Sequence, residues 1–191
     1  GGAYAVADLA KDFILKGGKV EDYVVTTATD GNHGRSVAWG AKLAGCKAKI
    51  YIHAHVSKSR ETAMQELGAE VIKINGNYEA SLSACKSDAE KNGWYIVSDT
   101  SWEGYTGIPR QVMAGYSVIA TECISQLKAT NPSHAFLPVG VGGLAGGVTA
   151  PFLLRMKNKL FKVISVESNM SACFLESIES SHPTLVNITE E

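Results

Sequence analysis

At 191 residues the chain can form one large domain or two small ones with a sizeable core. Its 45% hydrophobic and 19% charged residues exclude a disordered or fibrous protein. Eighteen basic against 19 acidic side chains, a formal charge of −1 with no basic patch, give electrostatic binding to nucleic acid no support. Cys46, Cys85, Cys123 and Cys173 lie no closer than 38 residues apart (85 to 123) and form no CxxC pair. That scatter points to buried thiols in a reducing, cytoplasmic setting, not to a disulfide frame or a zinc site.

The spacing of Tyr4, Val6, Ala7 and Leu9 through Phe13 predicts a helix over residues 3–16, closed by Gly17-Gly18. Tyr23–Thr27 is a β-branched run and predicts a strand. It stops at Thr29-Asp30-Gly31-Asn32-His33-Gly34, after which a helix is expected from about Arg35 to Ala44. Ala38, Ala41 and Ala44 give that helix a small face able to sit close to a sheet. Strands are expected at Ala48–His53, Glu70–Ile74 and Trp94–Ser98. The helices between them fall at Ser59–Leu67 and Asn77–Asn92, with Ser59 and Asn77 as N-caps and Met64, Leu67, Tyr78, Leu82, Cys85 and Ala89 facing inward. Strands alternating with helices in this way mean parallel βαβ units with right-handed crossovers.

Asp99-Thr100-Ser101-Trp102-Glu103-Gly104-Tyr105 breaks the rhythm. Pro109 then opens a long helix to about Lys128, with Val112, Met113, Tyr116, Ile119, Ala120, Cys123 and Leu127 as its inward stripe. A strand at His134–Pro138 leads through Val139-Gly140-Val141-Gly142-Gly143-Leu144-Ala145-Gly146-Gly147 into a helix over Val148–Met156. One more strand (Lys162–Glu167) and one more helix (Ser171–Ser180) follow. The expected division is a leading helix over 1–19, a small βα domain over 20–100 and part of a larger domain over 101–191. Both ends read as cut: Gly1-Gly2-Ala3-Tyr4 opens inside an element, without a start methionine or signal peptide, and Thr189-Glu190-Glu191 closes without one. The sequons at Asn169-Met-Ser171 and Asn187-Ile-Thr189 read as chance.

The glycine stretch is the strongest local signal. Glycines at a strand-to-helix junction let backbone amides approach a ligand, and the helix start adds orphan donors suited to a phosphate. Packing alone is a competing explanation. A membrane span is another, because Phe136–Leu154 is uncharged over 19 residues, but five glycines and two prolines in that run favour a soluble strand, turn and helix. In parallel sheets ligands bind beyond the C-terminal strand ends, which is where Thr29–Gly34, Asp99–Tyr105 and Gly140–Gly147 all fall. On local grounds Asp30-Gly31 reads as a turn pair, Asn32 as a turn or cap residue, and Asp99 as a loop cap. His33 reads as a structural histidine or a proton carrier. His53 and His55 read as surface residues, having no third ligand for a metal, and Trp102 and Tyr105 as packing residues.

Thr29-Asp-Gly-Asn-His-Gly-Arg35 resembles the asparagine loop of fold-type II pyridoxal-phosphate enzymes, and Gly140–Gly147 resembles their phosphate loop. Most of that superfamily carries serine or threonine where Asp30 stands. Together with Asp99-Thr-Ser-Trp-Glu-Gly-Tyr-Thr-Gly-Ile-Pro109, the first motif is similar to that of the diaminopropionate ammonia-lyase family, and Gly1–Ala5 is similar to the segment after that family's Schiff-base lysine. The resemblance implies an α/β fold of parallel twisted sheets with helices on both faces, in two domains truncated at both ends. It also implies a pyridoxal 5'-phosphate cofactor, a small amino-acid substrate, a homodimer, and no membrane or nucleic-acid partner.

By position, Asn32 is implied to bond the cofactor's ring hydroxyl oxygen. Gly140, Val141, Gly142, Gly143 and Leu144 are implied to hold its phosphate. Thr29, Asp30, Gly31 and His33 are implied to clasp the substrate carboxylate. Asp30 and Asp99 are implied to form the family's acidic pair near the substrate's amino groups, with Asp30 implied to take the α-proton of the D-isomer. The implied reaction is α,β-elimination of 2,3-diaminopropionate to pyruvate and ammonia. Alternatives are a serine or threonine dehydratase of the same fold and a non-catalytic phospholigand-binding module. The lysine that the chemistry requires is expected before Gly1, so the chain as given is expected to be inactive alone.

Overall fold

The apolar spacing of the first helix buries Ala5, Val6 and Ala10 along α1 (Gly2–Leu15), which packs on α2 (Asn32–Ala44). The computed structural model describes residues 1–128, 132–155, 161–184 and 186, so Met156 and the tail from 187 to 191 lie outside the described residues. Its contacts divide the chain into two compact units, Gly1–Gly115 and Tyr116–Glu191.

In the first unit, β1 (Val24–Ala28), β2 (Lys47–His53), β3 (Glu70–Ile74) and β4 (Tyr95–Ile96) form one parallel sheet in the order β3-β2-β1-β4. Successive strand residues face opposite ways. Ile50 of β2 lies against α2 and Met64 of α3 (Lys58–Gln65), while Tyr51 turns to the other face and packs with Ala28 and Cys85 beneath α4 (Tyr78–Asn92). Helices therefore cover both faces. Asn77 caps α4, its Oδ1 accepting the Ala80 amide at 3.0 Å. Two polar contacts fix that helix: Tyr51 donates to Asp88 Oδ2 at 2.6 Å, and Thr26 Oγ1 lies 3.4 Å from Cys85 Sγ. Burial pushes the Cys85 thiol up to about 11, which keeps it protonated and inert.

The α1–α2 contact is backbone-close. A Cβ on Gly40 would sit 2.7 Å from Ala3 Cα and 3.0 Å from its carbonyl oxygen, and Ser36 Oγ accepts the Ala3 amide at 3.0 Å. Because the obstructing atoms are main chain, neither helix can yield cheaply. Gly40→Ala is expected to destabilise the protein by about 1–3 kcal/mol, read as a lower urea midpoint at unchanged slope.

Departures from the expected boundaries have local causes. Helix α2 begins at Asn32, ahead of Arg35, because Thr29 Oγ1 accepts the amides of Gly31 (3.0 Å) and Gly34 (3.1 Å) and so acts as a cap. Strand β4 is shorter than Trp94–Ser98: the Val97 carbonyl is taken by the His33 ring, and the Ser98 amide by the Tyr105 hydroxyl. Ser57, in extended conformation, precedes α3, while Ser59 stands inside its first turn.

Helix α5 (Gly107–Leu127) runs from the first unit into the second. In the second unit β5 (His134–Pro138) and β6 (Lys162–Val166) pair in parallel. They are followed respectively by α6 (Gly143–Arg155) and α7 (Cys173–Glu179). Ala120, Val148, Phe152 and Phe161 form the core there, with Leu137, Leu144 and Val163 packed against it. Ile119, expected to point inward, is 44% exposed, and its neighbour Ala120 takes the buried place. Among the described residues no helix is long and apolar enough to cross a membrane. The uncharged Phe136–Leu154 run resolves into β5, the glycine turn and α6.

Candidate active site

In the first unit the polar loop leaves the C-terminal end of β1, the position where a parallel sheet presents ligand-binding groups. Thr29 is buried, and its hydroxyl is engaged by the Gly31 and Gly34 amides, so it shapes the loop. Asp30 extends outward with its side chain 60% exposed, and its Oδ1 lies 3.0 Å from Nε2 of His53. Arg60 of α3 donates to the Asp30 carbonyl at 3.2 Å. Asn32 occupies the first turn of α2, exposed, and lines a hollow of about 490 Å³ together with Arg35, Ser36, Trp39 and Leu67.

His33 is held differently. Its Nε2 donates to the Val97 carbonyl at 2.7 Å, since a carbonyl can only accept. Its Nδ1 is buried without a hydrogen-bond partner, and Asp99 Oδ2 lies 3.8 Å away, beyond bonding distance. A buried nitrogen left bare costs roughly 1–3 kcal/mol, so it marks a place where a donor can bind. The loop after β4 is tied down by Tyr105, which donates to Ile96 O at 2.8 Å, accepts from the Ser98 amide at 3.0 Å, and stacks on Trp102 with ring centroids 3.9 Å apart. Tyr105 and Trp102 are thus packing residues, as expected, and Lys86 Nζ stands 4.0 Å over the Trp102 ring.

Tyr78, at the start of α4, is half-buried. Burial first, then the negative charges of Asp99 and Asp30, push its phenol up to about 12. The sequence reading did not single out Tyr78 for this place. It also set His53 at the surface. The structure corrects that reading: His53 is only 5% exposed and is bound to Asp30, whereas His55 is exposed. The signal available in the sequence was the position of His53 at the end of β2, next to the strand that carries the loop. Among the described residues no group of three or more His, Cys, Asp or Glu could hold a metal.

In the second unit the glycine loop joins β5 to α6. The Val139 amide donates to Val166 O at 2.9 Å, the Gly140 carbonyl accepts the Cys173 thiol at 3.1 Å, and Gly142 turns through φ +85°. Helix α6 starts inside this loop, at Gly143 and not at Val148, and its first internal bond runs from the Gly146 amide to Gly142 O at 2.9 Å. The earlier start aligns the first-turn amides of Gly143, Leu144 and Ala145, which have no carbonyl four residues back to serve them. Val141 is 67% exposed, and a Cβ at Gly140 or Gly142 would meet no atom within 4 Å, so the turn is open. Glu167 is committed elsewhere, its carboxylate accepting the Phe174 and Leu175 amides at 2.8 and 2.9 Å.

Each set of polar groups, taken within its own unit, suits a different part of pyridoxal phosphate. An open glycine turn feeding a helix start suits a phosphate dianion, and an exposed carboxamide beside a bare imidazole nitrogen suits the polar edge of a ring and its amino-acid adduct.

The family described as pyridoxal-phosphate dependent enzyme matches residues 1–190. Diaminopropionate ammonia-lyase of Escherichia coli K12 is 36% identical over 190 aligned residues, which cover 93% of this chain and 48% of that protein. The crystal structure of the holo form of the Escherichia coli enzyme superposes with a TM-score of 0.89 at 36% identity, covering 100% of this chain and 52% of that one. Its complex with an aminoacrylate-PLP azomethine reaction intermediate gives 0.86 at 36% identity, over 96% and 50% of the two chains. The chain spans about half the length of these relatives. Parallel β/α architecture, the two loops and a match over nearly every residue lead to one conclusion: this chain belongs to the pyridoxal-phosphate dependent enzymes of fold type II.

Proposed function

We propose that the protein of which this chain forms part eliminates ammonia from 2,3-diaminopropionate, giving pyruvate and ammonia. The observation that carries the reading is that Asp30 and Asp99 follow the C-terminal ends of β1 and β4, which lie side by side in one parallel sheet, so two carboxylates stand at its ligand end. A substrate with two ammonium groups is what such a pair attracts. A hydroxy-amino acid has no second ammonium to neutralise there. The reading is also supported by the relatives named above.

When bound, the cofactor supplies the electron sink for the negative charge formed at the substrate's α-carbon. The chain's own residues do the rest. Gly140, Val141, Gly142, Gly143 and Leu144 hold the phosphate through main-chain amides. Asn32 bonds the ring hydroxyl oxygen. The Thr29–His33 loop receives the substrate: the Thr29 hydroxyl keeps the loop in shape by binding the Gly31 and Gly34 amides, and the bare Nδ1 of His33 accepts an N–H of the substrate. Asp99 attracts an amino group of the substrate. Asp30 accepts the α-proton of the D-isomer, and the β-amino group departs as ammonia. A reducing, cytoplasmic setting is supported by four unpaired cysteines, and a homodimer by the resemblance of the motifs.

Pyruvate release by the whole enzyme from diaminopropionate and from serine, compared as kcat/KM, tests the reading. Diaminopropionate is expected to be preferred by at least about 10-fold, since a serine hydroxyl offers the two carboxylates no second positive charge. Faster release from serine would assign the protein to the dehydratases instead.

A further inference from the structure

His53 ends β2 beside Asp30, which follows the end of β1, and it has no part in the roles above. Its side chain is 7% exposed, and each ring nitrogen has a polar neighbour. Nδ1 accepts the main-chain N–H of His55 at 3.3 Å, which places the ring proton on Nε2, 3.0 Å from Asp30 Oδ1. Arg60 holds the same residue by its carbonyl, at 3.2 Å. An aspartate whose side chain is 60% exposed would otherwise populate several rotamers, and a reacting group displaced by about 1 Å can lose roughly 100-fold in rate.

We infer that His53 is a positioning residue for Asp30. Its Nε2, in ion-pair contact with Oδ1 at 3.0 Å, holds that oxygen and leaves Oδ2 to receive the α-proton. In that step the substrate Cα–H bond breaks, an O–H bond forms on Oδ2, and the electron pair stays on the substrate carbon for delocalisation into the bound cofactor. The inference rests on the elimination reading, and the test separates the two.

The whole enzyme, with His53→Leu and His53→Gln variants, is assayed on the D- and L-isomers of diaminopropionate. His53→Leu is expected to lower kcat on the D-isomer about 10- to 100-fold with little change in KM, and to leave L-isomer turnover within about twofold. His53→Gln, which keeps an N–H donor, is expected to recover most of the loss. Nitrogen NMR of the ¹⁵N-histidine-labelled wild-type enzyme, with the His53 signal assigned by its loss in the glutamine variant, is expected to give the Nε2–H tautomer. That measurement decides the matter if the leucine variant does not fold. Equal losses on both isomers, or a ring protonated at Nδ1 alone, would overturn the positioning role. A wild-type enzyme that releases no pyruvate from either isomer would overturn the elimination reading itself, and the role of His53 with it.

Discussion

Asp30→Asn is expected to lower turnover of D-diaminopropionate by about 10²–10⁴-fold in the whole enzyme while changing L-isomer turnover far less, because an amide can accept a hydrogen bond but cannot take up the proton. The two isomers present their α-protons to opposite faces of the cofactor plane, so a single base at the end of β1 serves one of them. The substitution keeps the shape of the side chain. It also keeps a carbonyl oxygen able to accept from His53, 3.0 Å away in the wild-type protein. Folding should therefore be little affected. Steady-state kinetics on both isomers check the prediction, and equal losses on the two would remove Asp30 from the role of base.

The second large effect is expected at the phosphate loop. Gly142 sits at φ +85°, where a side chain costs roughly 1–2 kcal/mol. Gly142→Ala is expected to distort the turn that aims the first amides of α6, and so to weaken cofactor binding about 5- to 30-fold, the same free energy expressed as affinity. Titration of apoenzyme with pyridoxal phosphate, followed by absorbance, measures it. Gly17, at φ +88° with open space around it beyond the end of α1, is the matched control. Gly17→Ala should lower stability by a similar amount and leave cofactor affinity unchanged. Equal affinity losses in both variants would mean that only general stability was measured.

The elements were readable where one local rule decided them. Strand β3 lies at Glu70–Ile74 as expected, because a short β-branched run between two glycine-bearing turns allows few alternatives. Asn77 caps α4 because the N-cap rule depends on the chain nearest to it. Where a distant side chain decided, local reading went astray. The start of α2 was set by the Thr29 hydroxyl and the end of β4 by His33 and Tyr105, and none of these bonds follows from periodicity.

The candidate site divides in the same way. Asp30, Asn32 and Asp99 stood out only through their motifs, since Asp-Gly and Asn-His pairs are ordinary turn chemistry. The His53–Asp30 pair needed the parallel register of β1 and β2, which brings together two strand ends more than 20 residues apart in sequence. The nearness of Asp30 and Asp99 at one sheet end needed the pairing of β1 with β4, which no local pattern states.

The central claim is that the two carboxylates at the ends of β1 and β4 serve the elimination of a diamino acid, and product stoichiometry tests it most directly. Elimination releases the β-amino group, and hydrolysis of the remaining three-carbon unit releases the α-amino group, so whole enzyme given 2,3-diaminopropionate should form ammonia and pyruvate in a ratio of two to one. Substrate consumption without pyruvate, or with a ratio near one, would contradict the account.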